Sequence, residues 1–103
     1  MAEFTKVANV EDIPQGSARA FNVNGIEVAV FNLAGDFLAI SNTCGHVGGP
    51  LAEGEVVGVE VVVCPWHGWE WNLRSGQNVA DPDSCLPCFA CKVENGEVFV
   101  AAG

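Results

Sequence analysis

Basic residues are scarce in this 103-residue sequence. Four Lys and Arg residues stand against thirteen Asp and Glu residues, which gives a formal net charge of −9. Nucleic acids and anionic membranes attract basic surfaces, so this balance argues against both as partners. An acidic surface would favour encounter with a basic face of another protein, and it equally serves solubility.

Long hydrophobic runs are also absent. No apolar stretch approaches the roughly 18 residues of a membrane-spanning helix, and the first residues, Met1, Ala2 and Glu3, lack the basic and apolar regions of a secretion signal. We therefore expect a cytoplasmic protein without membrane association. The five cysteines of such a chain do not indicate a disulfide framework.

The sequence contains many short β-branched and apolar runs, and no convincing helical periodicity or internal repeat. Asn24-Gly25 and Asn95-Gly96 are typical of tight hairpins. The runs predict strands at residues 4–8, 18–23, 26–33, 37–40, 55–57, 59–63, 70–72, 91–93 and 98–100. The expected fold is all-β, with stacked antiparallel sheets in one domain over residues 1–103 and a meander within residues 4–40.

Both histidines of the chain lie a short step after a cysteine. Cys44 precedes His46 in a C-x-H pair, and Cys64 precedes His67 in a C-x-x-H pair. Each loop would thus offer one sulfur and one nitrogen ligand, a set that suits zinc or an iron–sulfur cluster. Zinc sites more often pair like ligands, as C-x2–4-C and H-x3–5-H, so mixed loops favour the iron–sulfur cluster.

Two segments carry a family resemblance. Asn42-Thr43-Cys44-Gly45-His46-Val47-Gly48-Gly49-Pro50-Leu51 and Cys64-Pro65-Trp66-His67-Gly68-Trp69 strongly resemble the two cluster-binding loops of Rieske [2Fe–2S] proteins. The resemblance implies a Rieske-like fold with a small cluster-binding subdomain, formed by loops at about residues 42–51 and 64–72. It also implies one [2Fe–2S] cluster per chain, with Cys44 and Cys64 on one iron and His46 and His67 on the other.

Departures from the high-potential members of that family bear on the reduction potential. Those members join their two loops by a disulfide, but the matching positions here are Gly49 and Trp66. They also place serine and tyrosine hydroxyls near the cluster, where this chain has Trp69 and Trp71. Hydrogen bonds to cluster sulfur raise the potential, so we expect a potential near the low end of the Rieske range.

The low-potential pattern resembles the soluble Rieske ferredoxins of bacterial aromatic-ring dioxygenase systems. That resemblance implies a one-electron carrier, not an enzyme, with a flavin-dependent reductase and a terminal oxygenase as transient partners. The 103 residues leave no length for the catalytic domain of an oxygenase. Two alternatives stay open: a Rieske-type small subunit of a nitrite-reductase-like enzyme, and a zinc-stapled interaction module.

The remaining cysteines and the tryptophans admit further predictions. Cys85, Cys88 and Cys91 have a spacing that suggests a second metal site, but strand alternation favours Cys91 as a small buried residue. In that interpretation Phe89 and Val93 also face inward, and Cys88 faces the other way. A disulfide between Cys85 and Cys88 stays open. Trp69 and Trp71 are expected to fill the base of the cluster subdomain, whereas Trp66 either caps the loops or joins a docking rim.

Overall fold

The protein is described by a computed structural model that covers residues 4–33, 36–42, 50–58, 60–65, 68–81 and 83–101. Within those ranges the chain forms nine strands and two single-turn 3-10 helices, Val10–Asp12 and Leu51–Glu53. The strands are β1 (Phe4–Asn9), β2 (Ala18–Val23), β3 (Ile26–Leu33), β4 (Asp36–Ser41), β5 (Glu55–Val57), β6 (Val61–Val63), β7 (Glu70–Asn72), β8 (Cys88–Glu94) and β9 (Glu97–Ala101). No helix in the described ranges is long and apolar enough to cross a membrane.

Six strands form the larger antiparallel sheet, in the order β1-β9-β8-β4-β3-β2. The hairpin between β2 and β3 turns at Asn24 and Gly25, whose φ angles are 53° and 85°. Positive φ at both positions matches the right-handed twist of the flanking strands. The Asn95 and Gly96 hairpin between β8 and β9 has the same signature. Both hairpins and the all-β fold class are confirmed.

The first strand corrects the predicted meander. Only β2, β3 and β4 form one, because β1 pairs with β9 at the opposite edge of the sheet. The connection after β1 explains the difference. The N–H of Val10 donates to the Gly96 carbonyl at 2.9 Å, and the N–H of Gly16 donates to the Asn32 carbonyl at 2.8 Å. Residues 10–16 therefore carry the chain from β9 to β3, so β1 and β2 follow each other in sequence but do not pair.

The three-stranded sheet, in the order β5-β6-β7, forms the smaller unit. Gly58 follows β5 with a φ of 63°, as the predicted hairpin requires. The second strand of this hairpin is shorter than predicted and begins at Val61, while Val59 lies outside the described residues. Val62 pairs directly with Trp71. This pairing determines which side chains share a face with Cys64.

Two hydrophobic clusters lie on opposite faces of β3. The site core contains Ala29, Phe31, Leu33, Ile40, Leu51, Val62, Cys64, Trp71, Leu73 and Leu86. The base core contains Ile13, Val23, Val28, Val30, Ala39, Val98 and Val100. Alternate residues of β3 enter the two cores, so residues 28–33 are all buried. A strand covered on both faces reads as a continuous apolar run, and β3 thereby joins the smaller sheet to the larger one.

Candidate metal centre

One of the four predicted ligands falls in the described part of the chain. Cys64 follows β6 directly and is 1% exposed. Cys44, His46 and His67 lie outside the described residues, as does Trp66. The residues that begin and end both predicted ligand loops are described. They show how the sequence brings the two ends of each loop together.

Asn42 closes the base of the first loop. Its carbonyl accepts a hydrogen bond from the N–H of Leu51 at 2.8 Å, and its side-chain Oδ1 accepts one from the N–H of Ala52 at 2.8 Å. Asn42 and the residues to which the chain returns, Leu51 and Ala52, therefore lie side by side. Asn42 is itself held by Glu27 of β3, whose carbonyl accepts from the Asn42 N–H and whose Oε2 accepts from Asn42 Nδ2, both at 3.0 Å.

The return of the first loop has its own local cause. Pro50 takes an extended conformation, and the Leu51–Glu53 turn follows it. Gly54 then lies so close to Val63 that a Cβ built there would approach the Val63 carbonyl oxygen to 2.3 Å. Because only glycine fits this contact, the chain can pass directly beside β6. Leu51 is fully buried in the site core as a result.

The second loop is closed at Cys64, its first predicted ligand. The N–H of Cys64 donates to the Trp69 carbonyl at 2.7 Å, which continues the ladder between β6 and β7 by one residue pair. Pro65 and Gly68, which follow and precede this pair in the chain, therefore flank the tip of the β6–β7 hairpin. Gly68 has a φ of 72°, a conformation that other residues rarely adopt. Pro65 and Gly68 thus supply the turn chemistry of this tip.

Both loop bases rest on the same packed cluster. Leu51 from the first loop and Cys64 from the second belong to the site core, at 0% and 1% exposure. Cysteine sulfur is a ligand that both iron–sulfur clusters and zinc take. The donor chemistry at Cys64 therefore fits a metal centre held at the junction of the two loops.

The segment that follows β7 is hydrogen-bonded back to β7, the strand into which the second loop leads. The N–H of Val79 donates to the Glu70 carbonyl at 2.9 Å, and the buried Asn78 Oδ1 accepts from the N–H of Ala80 at 2.9 Å. Gly76 has a φ of 78°, and a Cβ there would lie 2.2 Å from the Leu86 carbonyl oxygen. This close approach explains why the predicted turn at this position uses glycine.

Arg74 ties the small sheet to the large one. Its Nε lies 3.1 Å from Glu60 Oε1, just before β6, and its Nη2 lies 3.1 Å from Asp36 Oδ2 at the start of β4. The pKa of Arg74 is raised, first by the hydrogen bond to Asp36 and also by Glu60, although desolvation opposes the shift. Sequence reasoning missed this bridge, because the two carboxylates are remote from Arg74 in the chain.

Trp69 and Trp71 fill the base of the cluster subdomain as predicted. Trp71 is 1% exposed within the site core, and the half-buried Trp69 packs against that core. Their ring centroids lie 6.1 Å apart at an interplanar angle of 36°. No acceptor for Trp71 Nε1 is present among the described residues. Sequence reasoning missed this buried donor. The signal that could have found it is the tryptophan itself, which carries a polar N–H to a position expected in the core.

The late cysteines do not assemble a second metal site within the described ranges, where no group of three or more His, Cys, Asp or Glu side chains could hold an ion. Phe89 and Cys91 pack against the base core, as predicted, and Cys88 is exposed. Val93 was predicted to face inward and is instead 44% exposed. Val93 pairs with Val98 of the base core and so shares its face, but near the end of β8 its own side chain stays largely exposed.

Burial changes the acidity of two of these thiols. It raises the pKa of Cys91 from 9.0 to about 11. For Cys88 burial is again the largest cause of a raised pKa, and the charge of the neighbouring Cys85 adds to it. Since metals bind the thiolate form, neither environment favours a ligand role. Cys91 instead packs as a small apolar residue against the base core.

A known protein family matches this arrangement. The Rieske [2Fe-2S] domain matches residues 3–90. The ferredoxin component of the alkene monooxygenase system of Xanthobacter autotrophicus is 32% identical over 98 residues, which cover 95% of this chain and 80% of that protein. The family implies a [2Fe–2S] cluster.

Solved structures agree with the sequence match. In a complex of reduced oxygenase and oxidised ferredoxin of carbazole 1,9a-dioxygenase, one chain superimposes with a TM-score of 0.85 at 33% identity, covering 95% of this chain and 92% of that one. A protein described as an NADH-dependent nitrite reductase small subunit from Mycobacterium tuberculosis gives a TM-score of 0.93 at 22% identity, covering 100% and 97%. The second likeness concerns the fold alone. With the family match over residues 3–90, the chain belongs to the Rieske [2Fe-2S] domain family.

Proposed function

We propose that this protein is a Rieske-type ferredoxin, a one-electron carrier that passes electrons from a flavin-dependent reductase to a terminal oxygenase. The observation that carries the proposal is the pair of loop bases, closed by Asn42 and by Cys64 over one buried core, in a chain of the Rieske family. Related proteins of the same extent are named ferredoxin components of oxygenase systems. The role is electron transfer and not catalysis.

The proposed ligands are Cys44 and Cys64 on one iron, and His46 and His67 on the other, with one cluster per chain. The position of Cys64 supports this ligand set, because its sulfur lies in the same core as Leu51, at the return of the first loop. A [2Fe–2S] cluster with mixed ligation takes up and releases one electron at about −150 to +300 mV. Asn42 and the Cys64–Trp69 hydrogen bond keep the loop bases in position during that change.

We further propose that residues 1–103 form one domain, with the cluster loops at residues 42–51 and 64–72. The pairing of β1 with β9 supports this proposal, because it joins the first and last strands of the described chain in one sheet. The base core beneath that sheet contains residues from Ile13 to Val100. The cluster subdomain rests on this unit through β3 and the Arg74 bridge.

The surface beside the second loop suits a basic protein partner. A cleft of about 500 Å³ there is lined by Gly68, Trp69, Glu70, Asn78, Val79 and Asp81, among others. Val79 is 52% exposed, and both carboxylates are exposed. An apolar contact area with an acidic rim, on a chain of net charge −9, would attract a basic partner electrostatically and hold it only briefly. We propose that the transient partners meet this protein in the cytoplasm.

The first test is the visible absorption and EPR spectrum of the purified protein before and after dithionite. We expect a red-brown protein whose reduced form gives the rhombic signal of mixed nitrogen and sulfur ligation. A colourless protein that contains zinc would overturn the proposal and support the zinc-stapled module instead.

Reconstitution tests the electron-transfer role itself. We expect this protein to be reduced by a flavin-dependent reductase and to restore substrate oxidation by a terminal oxygenase that lacks its carrier. The C64S variant is the matched control and should restore none. If the wild-type protein instead supports only nitrite reduction, it serves as a nitrite reductase subunit.

A further inference from the structure

Trp71 and Cys64 share one face of the β6–β7 hairpin. Trp71 pairs with Val62, and the hydrogen bond from the Cys64 N–H to the Trp69 carbonyl extends the same ladder. Side chains of directly paired residues lie on the same face, and those two positions apart in a strand do so as well. The Trp71 ring is therefore a diagonal neighbour of the Cys64 thiol, within the reach of an aromatic side chain.

The Trp71 indole N–H is a buried donor without an acceptor in the described part of the chain. The residue is 1% exposed, so bulk water does not solvate it. Burying a polar group without a hydrogen bond is costly, and such groups are rare in folded proteins. This atom therefore calls for a partner.

Other buried polar side chains of this protein have one. Asn32 Nδ2 donates to the Ile13 carbonyl at 2.8 Å. Asn42 Oδ1 accepts from Ala52, and Asn78 Oδ1 accepts from Ala80. The fold thus gives hydrogen-bond partners to the other polar side chains that it buries. Among the described residues, the Trp71 N–H is an exception to this rule.

A buried water is a poor candidate for the missing acceptor. An internal water needs two to four polar partners, but besides the Trp71 N–H the side chains of the site core offer only the sulfur of Cys64. The acceptor expected next to Cys64 is the metal centre that, under the proposed function, this cysteine helps to bind. Its sulfur atoms are hydrogen-bond acceptors.

We propose that the indole N–H of Trp71 donates a hydrogen bond to a sulfur of the bound [2Fe–2S] cluster, an inference that rests on the proposed function. Reduction adds negative charge to the cluster, so the bond is stronger in the reduced state and favours it. Trp71 would thereby raise the reduction potential, although it carries no hydroxyl. It acts as a tuning residue and not as a ligand.

The first test compares W71F with W71Y in redox titrations of the cluster-loaded protein. Both variants keep an aromatic ring, but only tyrosine has a donor. At a fixed solution potential we expect W71F to lower the ratio of reduced to oxidised protein about tenfold, which is about 59 mV for a one-electron couple. W71Y should recover part of this loss. Equal potentials in all three proteins, or a shift that W71Y does not reduce, would overturn the proposal.

A measurement on the unaltered side chain does not depend on how W71F folds. In reduced protein labelled with indole-¹⁵N tryptophan, pulsed EPR should detect a ¹⁵N hyperfine coupling to the cluster. W66F and W69F should each retain it, which assigns the coupling to Trp71. A Rieske signal without the coupling would overturn this inference alone, whereas a colourless protein would overturn the proposed function as well.

Discussion

The side-chain Oδ1 of Asn42 accepts a 2.8 Å hydrogen bond from the main-chain N–H of Ala52, ten residues further along the chain. Through this bond one short side chain joins the two ends of the first ligand loop. Glu27 holds the same asparagine from β3. The loop is therefore anchored to the strand that separates the two cores.

Replacing Asn42 by alanine tests this anchor. The N42A variant leaves the Ala52 N–H without its acceptor, so we expect a loss of about 1–3 kcal/mol in the free energy of unfolding. Iron content after purification should fall as well. Denaturant unfolding and iron analysis measure the two effects.

N22A provides the matched control for Asn42. Asn22 Oδ1 also accepts a main-chain hydrogen bond, from Gly25 at 3.1 Å, but in an exposed hairpin. The same chemical deletion there should leave iron content unchanged. Equal iron loss in both variants would contradict a specific role for Asn42.

Replacing Cys64 by serine tests the ligand set. We expect C64S to lose the visible absorption and nearly all bound iron, because a hydroxyl does not replace the thiolate ligand of a Rieske centre. C85S is the control, since Cys85 is an exposed cysteine outside the site core. Full absorption in C64S, or an equal loss in C85S, would argue against the proposed ligands.

The parts of this fold that sequence predicts are those with local causes. Positive φ at Asn24-Gly25 and Asn95-Gly96 follows from residue type, so both hairpins were predicted correctly. The β1–β9 pairing depends on strands at opposite ends of the chain, and the connection at residues 10–16 decides it. Nothing in residues 4–8 alone distinguishes this partner from β2.

The features of the site also divide into those with local causes, which the sequence predicts, and those that depend on distant residues. The four ligand residues were predicted from spacing and resemblance, and all four stay predictions, with Cys64 alone among the described residues. The roles of Asn42 and Arg74 depend on partners far along the chain, at Ala52, Asp36 and Glu60. An asparagine before a cysteine-rich loop looks like any turn residue until the return of the loop is known.

The buried thiol of Cys91 predicts a dependence of stability on alkaline pH. Burial raises its pKa from 9.0 to about 11, so the folded state keeps a proton that the unfolded state loses near pH 9. The stability that this group contributes is complete below pH 9 and is lost as the pH rises to about 11. Denaturant unfolding from pH 8 to 11 should show a steeper loss for the wild type than for C91A. Parallel curves would contradict the prediction.

The reduction potential should lie near the low end of the Rieske range of about −150 to +300 mV. Positions 69 and 71 are tryptophans and offer no hydroxyl to the cluster, and the proposed Trp71 N–H supplies a single donor. Exposed carboxylates such as Glu70 and a net charge of −9 further oppose an added electron. Cyclic voltammetry should therefore give a midpoint below zero against the hydrogen electrode, and E70Q should move it slightly upward at low salt. A wild-type midpoint well above zero would contradict this prediction.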